Sequence, residues 1–279
     1  MAKEIRKSWI RFSLKALMVA FLIATVSIAT YSARVSRQRE AAAAVRDLGG
    51  TLTYNDHAPN FLQDKIANFL GADYVYDVVG VSLWEQDVTD AELRLLPNFV
   101  DLSHLELSGT QITNKTLKLI GKMRSLESVG LNNVTLVDDD GIIFLSNLKN
   151  LNHLALWNTG TGDRGIKSIA ELPKLLVLIA GGTKVTDKGT ECLVKSKSIV
   201  KLVFQRTSLS DESLSNLCQI EKLRSLSLSE TEITDVGLEH LKNCRNLKDL
   251  AVFNTLVTCL LYTSPSPRDQ RGSRMPSSA

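Results

Sequence analysis

From Leu102 onward the apolar positions of the chain recur with one long, fixed period. The first apolar residue of each unit falls at Leu102, Leu126, Leu151, Leu175, Ile199, Leu223 and Leu247, with spacings of 24, 25, 24, 24, 24 and 24 residues. Within a unit the pattern reads L-x-x-L-x-L-x-x-T-x-I-T-D-x-G-L-x-x-L. It is clearest in LRSLSLSETEITDVGLEHL from Leu223 and recognisable in LSHLELSGTQITNKTLKLI from Leu102 and IVKLVFQRTSLSDESLSNL from Ile199. A weaker copy, VSLWEQDVTDAELRLL, begins at Val81. The L-x-x-L-x-L portion alternates with period two. It predicts a short strand with its leucines turned inward and the residues between them turned out. Pairs such as Thr186-Asp187, Ser210-Asp211 and Thr234-Asp235 suit a helix start, because their oxygens can take up free N–H groups and the acid suits the positive helix end. The helix that follows supplies a second inward row, as in Leu214 with Leu217 and Leu238 with Leu241.

Strand–turn–helix units at this spacing are the signature of a leucine-rich repeat. The expected fold is therefore an α/β leucine-rich-repeat solenoid, a right-handed horseshoe with a parallel sheet on its concave face. One coil cannot bury its own apolar face, so stability must come from stacked neighbours. A threonine recurs after the strand at Thr110, Thr159, Thr183, Thr207, Thr231 and Thr255, where such repeats usually carry Asn or Cys. Its hydroxyl is expected to do part of that residue's work of bonding the turn backbone of adjacent coils. Val134 breaks the series, so the coil that contains it should lack that bond. Repeats are expected over residues 81–258, with an N-terminal cap over 51–80. In that cap TLTY (51–54) alternates like a strand, and Phe61, Leu62, Ile66, Phe69 and Leu70 fall at helical spacing.

The beginning of the chain follows a different pattern. Residues 1–15 carry Lys3, Arg6, Lys7, Arg11 and Lys15 against Glu4, and residues 16–33 carry no charge. An 18-residue helix spans roughly 27 Å, near the lower limit for crossing a bilayer. Three readings fit this run: an uncleaved transmembrane helix, a cleaved signal peptide with a small-residue site near Ser27-Ile28-Ala29, or a buried core helix. The anchor is preferred. Residues 34–50 (RVSRQREAAAAVRDLGG) continue as a juxtamembrane helix up to a Gly49-Gly50 stop, and basic residues at both ends of the run suit a membrane better than a core. Five basic residues precede the span and four follow it (Arg34, Arg37, Arg39 and Arg46). By the positive-inside rule the repeats are then expected on the periplasmic or extracytoplasmic side of a single-pass protein.

Composition narrows the chemistry. The net charge is +3, from 33 basic and 30 acidic residues, with no basic block beyond the N-terminus; this argues against nucleic acid as a partner. The four cysteines (Cys192, Cys218, Cys244 and Cys259) show no CxxC spacing. A disulfide scaffold is not expected, and the first three read as small buried residues in the helical halves of successive units. Asp138-Asp139-Asp140 has neither the loop nor the distal Glu of a calcium site and reads as a helix N-terminus. His104 and His153 fall about two coils apart, too far to share a metal. No nucleophile elbow, P-loop, zinc-protease or dinucleotide motif is present. No catalytic residue, cofactor or metal is expected.

The residues RFSLKALM (11–18), AAAAVRDLGGTLTY (41–54), FLGADYVYDVVGVSL (69–83) and the TxITDxGL repeats together resemble the membrane-anchored leucine-rich-repeat proteins of planctomycete bacteria, over about residues 10–258. The resemblance implies the same architecture, an envelope location and a protein-binding role. After Thr258 the repeat gives way to CLLYTSPSPRDQRGSRMPSSA (259–279), rich in Ser, Pro and Arg. This tail resembles the translation of a sequencing adapter, in which case further repeats and a cap would follow Thr258 in the source; a natural disordered tail is the alternative.

The concave face is the default binding surface of a solenoid. Its outward positions are polar in the first coils (His104, Glu106, Ser128) and apolar in the middle. Ala155, Val177, Ile179 and Val203 should adjoin there, with Trp157 and Gln205 nearby and Phe253 further along. These seven residues are the candidate contacts for a protein or peptide partner, since an exposed apolar patch on a sheet often marks one. The competing reading is that they merely stiffen strands. At the level of the whole protein, the alternative to a binding role is an envelope component that packs without a discrete ligand.

Overall fold

The computed structural model describes residues 14–55 and 71–258, together with positions 65, 67 and 69. The tail and most of the expected cap helix, including Phe61, Leu62, Ile66 and Leu70, lie outside the described residues. The chain begins with one long helix, α1 (Leu14–Asp47). Strand β1 (Thr51–Tyr54) follows and pairs antiparallel with β2 (Val78–Ser82). From β2 on every pairing is parallel: β3 (His104–Glu106), β4 (Ser128–Gly130), β5 (His153–Ala155), β6 (Val177–Ile179), β7 (Lys201–Val203), β8 (Ser225–Ser227) and β9 (Asp249–Ala251). The helices between them are α2 (Asn114–Ile120), α3 (Asp139–Leu145), α4 (Asp163–Ile169), α5 (Asp187–Leu193), α6 (Asp211–Leu217) and α7 (Asp235–Leu238). The fold is a leucine-rich-repeat solenoid preceded by an N-terminal helix.

The central inward row is Leu105, Val129, Leu154, Leu178, Leu202 and Leu226, each in register with the next and each buried. Strands of three residues and helices of at most seven cannot hold alone, because helix nucleation costs more than so few hydrogen bonds return. Neighbouring coils supply the missing stabilisation, and much of it is polar. In two of the T/S-D pairs the first residue caps its own helix, Ser210 accepting from the Glu212 amide at 3.4 Å and Thr234 from the Val236 amide at 3.2 Å, whereas the Thr186 hydroxyl makes no such bond. The aspartate does something the sequence reading did not anticipate, reaching forward to the next coil. Asp187 accepts from the Ser210 amide (2.9 Å) and hydroxyl (2.6 Å), and Asp211 likewise from Thr234 (2.8 and 2.6 Å). Asp90 to Thr113, Asp163 to Thr186 and Asp235 to Thr258 repeat the arrangement.

The recurring threonines behave otherwise than expected. Each hydroxyl donates to a carbonyl three residues back in its own coil, as in Thr183 to Ala180 (2.6 Å) and Thr231 to Leu228 (2.6 Å), rather than to an adjacent coil. The reason is the turn just before them. The preceding residue lies in the left-handed region, which folds the threonine back over its own strand. Gly109, Asn133, Asn158, Gly182 and Asn254 hold this position at φ between 53° and 75°, but so do Arg206 (55°) and Glu230 (58°). For an L-residue other than Asn or Gly this conformation costs about 1–2 kcal/mol. Glu230→Asn should therefore raise stability by about 0.5–1 kcal/mol, the gain being reduced by loss of the exposed Arg206 pair. A urea titration of the two proteins checks this, and a destabilised variant would show that the pair outweighs the strain.

The single 25-residue unit places its extra residue in the loop between β4 and α3, where Leu136 is pushed outward to 57% exposure. The three aspartates that follow are all engaged. Asp138 caps α3 through the Asp140 amide (3.0 Å), Asp139 accepts from the Gly162 amide (2.6 Å), and Asp140 pairs with Arg164.

The first coil is covered mainly by the second half of α1. Ala41, Ala42 and Val45 are buried there against the coil that carries Leu93, Leu96 and Phe99. Phe69 of the expected cap helix is 87% exposed and covers nothing. Polar contacts lock α1 in place. Arg34 pairs with Asp77 (2.8 Å) and Asp101, the Gln38 amide donates to the Tyr76 carbonyl (2.8 Å), and Arg46 grips both oxygens of Asp73 (2.8 Å each). Tyr54 donates to the same carboxylate. Burial, then the bond to Asp73, pushes the Tyr54 phenol up to about 12. Burial alone would raise Asp73, but the hydrogen bonds from Arg46 and Tyr54 outweigh it and hold the carboxyl below its usual range. Helix α1 stops at Gly49, whose φ of 77° is the left-handed cap that the Gly-Gly pair announces; the Gly50 amide closes it on the Val45 carbonyl at 2.9 Å. Residues 17–33 project away from the solenoid and pack on nothing else in the described chain, which removes the core-helix reading.

The cysteines require a correction. Cys218 and Cys244, which read from the sequence as small buried residues outside any disulfide scaffold, are joined by a disulfide; Cys192 is free and half-buried. The pair is 26 residues apart, one coil plus two. Spacing alone did not show that a two-residue offset brings the end of α6 against the stretch that follows α7.

Candidate functional site

Register lays the concave sheet out as rows that run along the solenoid. One row is His104, Ser128, His153, Val177, Lys201, Ser225 and Asp249. The next is Glu106, Gly130, Ala155, Ile179, Val203, Ser227 and Ala251. Ala155, Ile179 and Val203 are therefore consecutive neighbours, with Val177 alongside, so four of the seven candidates meet. Val177, Ile179 and Val203 are half-buried, while Ala155 is fully buried and offers almost no surface.

Trp157 and Gln205 belong to the row that continues the ladder past the strands. The Asn158 amide bonds to the Gly181 carbonyl and the Gly182 amide to the Gln205 carbonyl. The Trp157 ring lies across Gly181, where any Cβ would overlap it, so glycine there is what leaves room for the indole. Its backbone is fixed by the Asn132 side chain, which accepts from the Trp157 amide at 3.0 Å. Gln205 donates to the Ser227 hydroxyl at 2.6 Å and forms a polar border. Phe253 is 74% exposed but stands two coils beyond Val203, with Ser227 and Ser229 between; the structure does not bring it to the cluster.

Two residues that sequence reasoning passed over complete the cluster. The positions just before the strands form their own ladder: Leu176 bonds back to Asn152, Val200 to Leu176, Arg224 to Val200 and Lys248 to Arg224, at 2.8–2.9 Å. In this otherwise polar series Leu176 is 45% exposed and Val200 half-exposed, directly flanking Val177 and Lys201. The signal was present in the pattern, as two apolar residues in a phase held elsewhere by Glu127, Asn152, Arg224 and Lys248. Reading only the second of the two residues in each L-x-x-L segment, and the positions after it, missed it.

His104 and His153 share a row with Ser128 between them. Burial depresses the His153 imidazole below its ordinary value; Glu106 opposes this and Lys201 adds to it. Because the folded value lies below the unfolded one, near 6.5, the unfolded chain takes up the proton first as pH falls. His153 thus costs stability progressively below about pH 6.5. His153→Gln should flatten the fall in urea midpoint between pH 7.5 and 5; an unchanged slope would place the acid sensitivity elsewhere. Among the described residues no cluster of His, Cys, Asp or Glu is arranged to hold a metal.

No family model matches the chain, and no curated protein matches it. Among solved structures it is similar to an internalin C2 from Listeria monocytogenes str. 4b F2365, at 22% identity and a TM-score of 0.53, over 66% of this chain and 83% of that one. Sequence identity at that level carries the architecture and nothing about ligands: this chain has the leucine-rich-repeat fold.

Proposed function

We propose that the chain is a non-catalytic, single-pass membrane protein whose repeats bind a protein or peptide partner on the concave face. The observation that carries this reading is the apolar cluster of Leu176, Val177, Ile179, Val203 and Trp157, solvent-accessible in the middle of an otherwise polar sheet. Helix α1 supports the anchor, because its residues 17–33 are apolar, uncharged and exposed along their length. The Cys218–Cys244 disulfide supports repeats on the extracytoplasmic side, since such bonds persist in oxidising compartments. The five-to-four basic bias across the span and the resemblance to planctomycete envelope proteins point the same way.

The test is capture from a membrane extract of the source organism with the full chain in detergent. Val177→Asp combined with Ile179→Asp should lower capture of the partner at least about tenfold while leaving the circular dichroism spectrum unchanged, because burying one Val or Ile side chain against a partner is worth about 1.5–3 kcal/mol and a tenfold loss needs about 1.4 kcal/mol. Capture undiminished by the substitutions rejects the concave cluster. If the wild-type chain captures nothing, and its loss weakens the envelope, the role is structural.

A further inference from the structure

The apolar cluster sits between two groups of opposite charge, and the structure holds them a defined distance apart. On the side of the first coils are Glu106, in the row of Ile179, and Glu127, in the ladder of Leu176. Glu127 is exposed, and the Asn152 amide group lies near its carboxylate at 3.4 Å. On the side of the last coils Lys201, Arg224 and Lys248 are all exposed, with Asp249 as an acid beside Lys248. We infer that the concave face takes an extended peptide segment lying along the solenoid, with a basic residue at one end, an apolar centre and an acidic residue at the other. This inference rests on the concave-face reading above and adds the chemistry of the ligand.

Glu127 and Arg224 occupy the same position of the coils that carry β4 and β8, four strand spacings apart. At about 4.8 Å per spacing the separation is about 19 Å, which an extended chain covers in about six residues at 3.3 Å each. The matching segment is a heptapeptide with opposite charges at its two ends and apolar side chains at its third and fifth positions, which share a face with those ends and lie over Leu176, Val177 and Ile179. The direction of the peptide chain is left free by this match; what is fixed is that the basic end lies toward Glu127 and the acidic end toward Arg224.

The experiment uses the full chain in detergent micelles and three fluorescein-labelled peptides. These are Lys-Ser-Leu-Phe-Val-Ser-Glu, a version with Lys at both ends, and a version with Glu at both ends, compared by anisotropy at low salt. Exposed ion pairs change affinity about two- to fivefold, so the wild-type chain should prefer the mixed peptide by about that factor over each like-charged one. Glu127→Lys should shift the preference to the Glu-ended peptide and Arg224→Glu to the Lys-ended one, and all the differences should shrink in 0.5 M salt. Both positions are exposed, so neither substitution disturbs the core. Equal binding of the three peptides by wild type, or preferences unmoved by either substitution, overturns the charge match. If that binding is still lost in the Val177→Asp/Ile179→Asp protein, the concave-face reading survives it. Absence of binding by all three peptides overturns this inference, and the capture experiment then decides the broader reading on its own.

Discussion

Phe204→Ala is expected to lower the unfolding free energy by about 3–5 kcal/mol, the largest effect of any single substitution argued from this structure. The reason lies in one inward row, the last apolar position of each strand segment: Leu131, Leu156, Ala180, Phe204 and Leu228. The Leu156, Ala180 and Phe204 amides bond to the Ile179, Val203 and Ser227 carbonyls of the next coil, and all five side chains are fully buried. Five leucine-sized residues would fill this row evenly. The chain instead puts its smallest member beside its largest, and the phenyl ring of Phe204 is expected to take the room that Ala180 leaves. Removing the ring would place two alanines side by side and open a cavity the rigid coil spacing cannot close. The compensation is testable in the other direction. Ala180→Leu alone should overpack the row and cost about 1–3 kcal/mol. Ala180→Leu with Phe204→Leu should cost clearly less than the sum of the two single changes. Additive costs in a urea titration would show that the two side chains do not share the space.

The second large effect is expected at the disulfide. Replacing Cys218 and Cys244 by Ser opens a loop with a sequence separation of 26, for which the chain-entropy model gives a loss of about 3.5 kcal/mol. In a solenoid each coil contacts only its neighbours, so the loss should be local. The amides that tie β8 to β9, such as Leu228 to the Ala251 carbonyl, should lose protection from hydrogen exchange, while those between β4 and β5 keep theirs. The same selective loss should follow when a reductant is added to the wild-type protein. Protection of β9 that is unchanged in the double variant would mean that stacking, not the crosslink, holds the last coils.

Much of this was legible in the linear pattern. A period that repeats Leu102 at Leu126 and Leu151 leaves one economical solution, because each unit has an apolar face that only a copy of itself can cover. The same logic places Ala155, Val177, Ile179 and Val203 side by side, since a fixed repeat length converts sequence position directly into register. The Gly49-Gly50 stop was readable for a local reason: a left-handed cap needs a residue without a Cβ.

What could not be read depended on contacts between coils and on the one segment that does not repeat. The aspartates of the T/S-D pairs carry the same local signal whether they bond within their own helix or to the next coil, and only the stacking distance selects the second. The cover on the first coil fell to α1, because Ala41, Ala42 and Val45 look like ordinary helix formers until the helix is seen to pack on the coil that carries Leu93, Leu96 and Phe99. The Cys218–Cys244 bond depends on how far a two-residue offset carries a side chain across the helical face. The sequence by itself determined the solenoid, its register and the apolar centre of its concave face, because those follow from periodicity. Tertiary structure alone decided which side chains bridge the coils, what closes the first of them, and which candidates, Leu176 gained and Phe253 set apart, belong to one surface. Those outcomes rest on distances in space that no repeat length encodes.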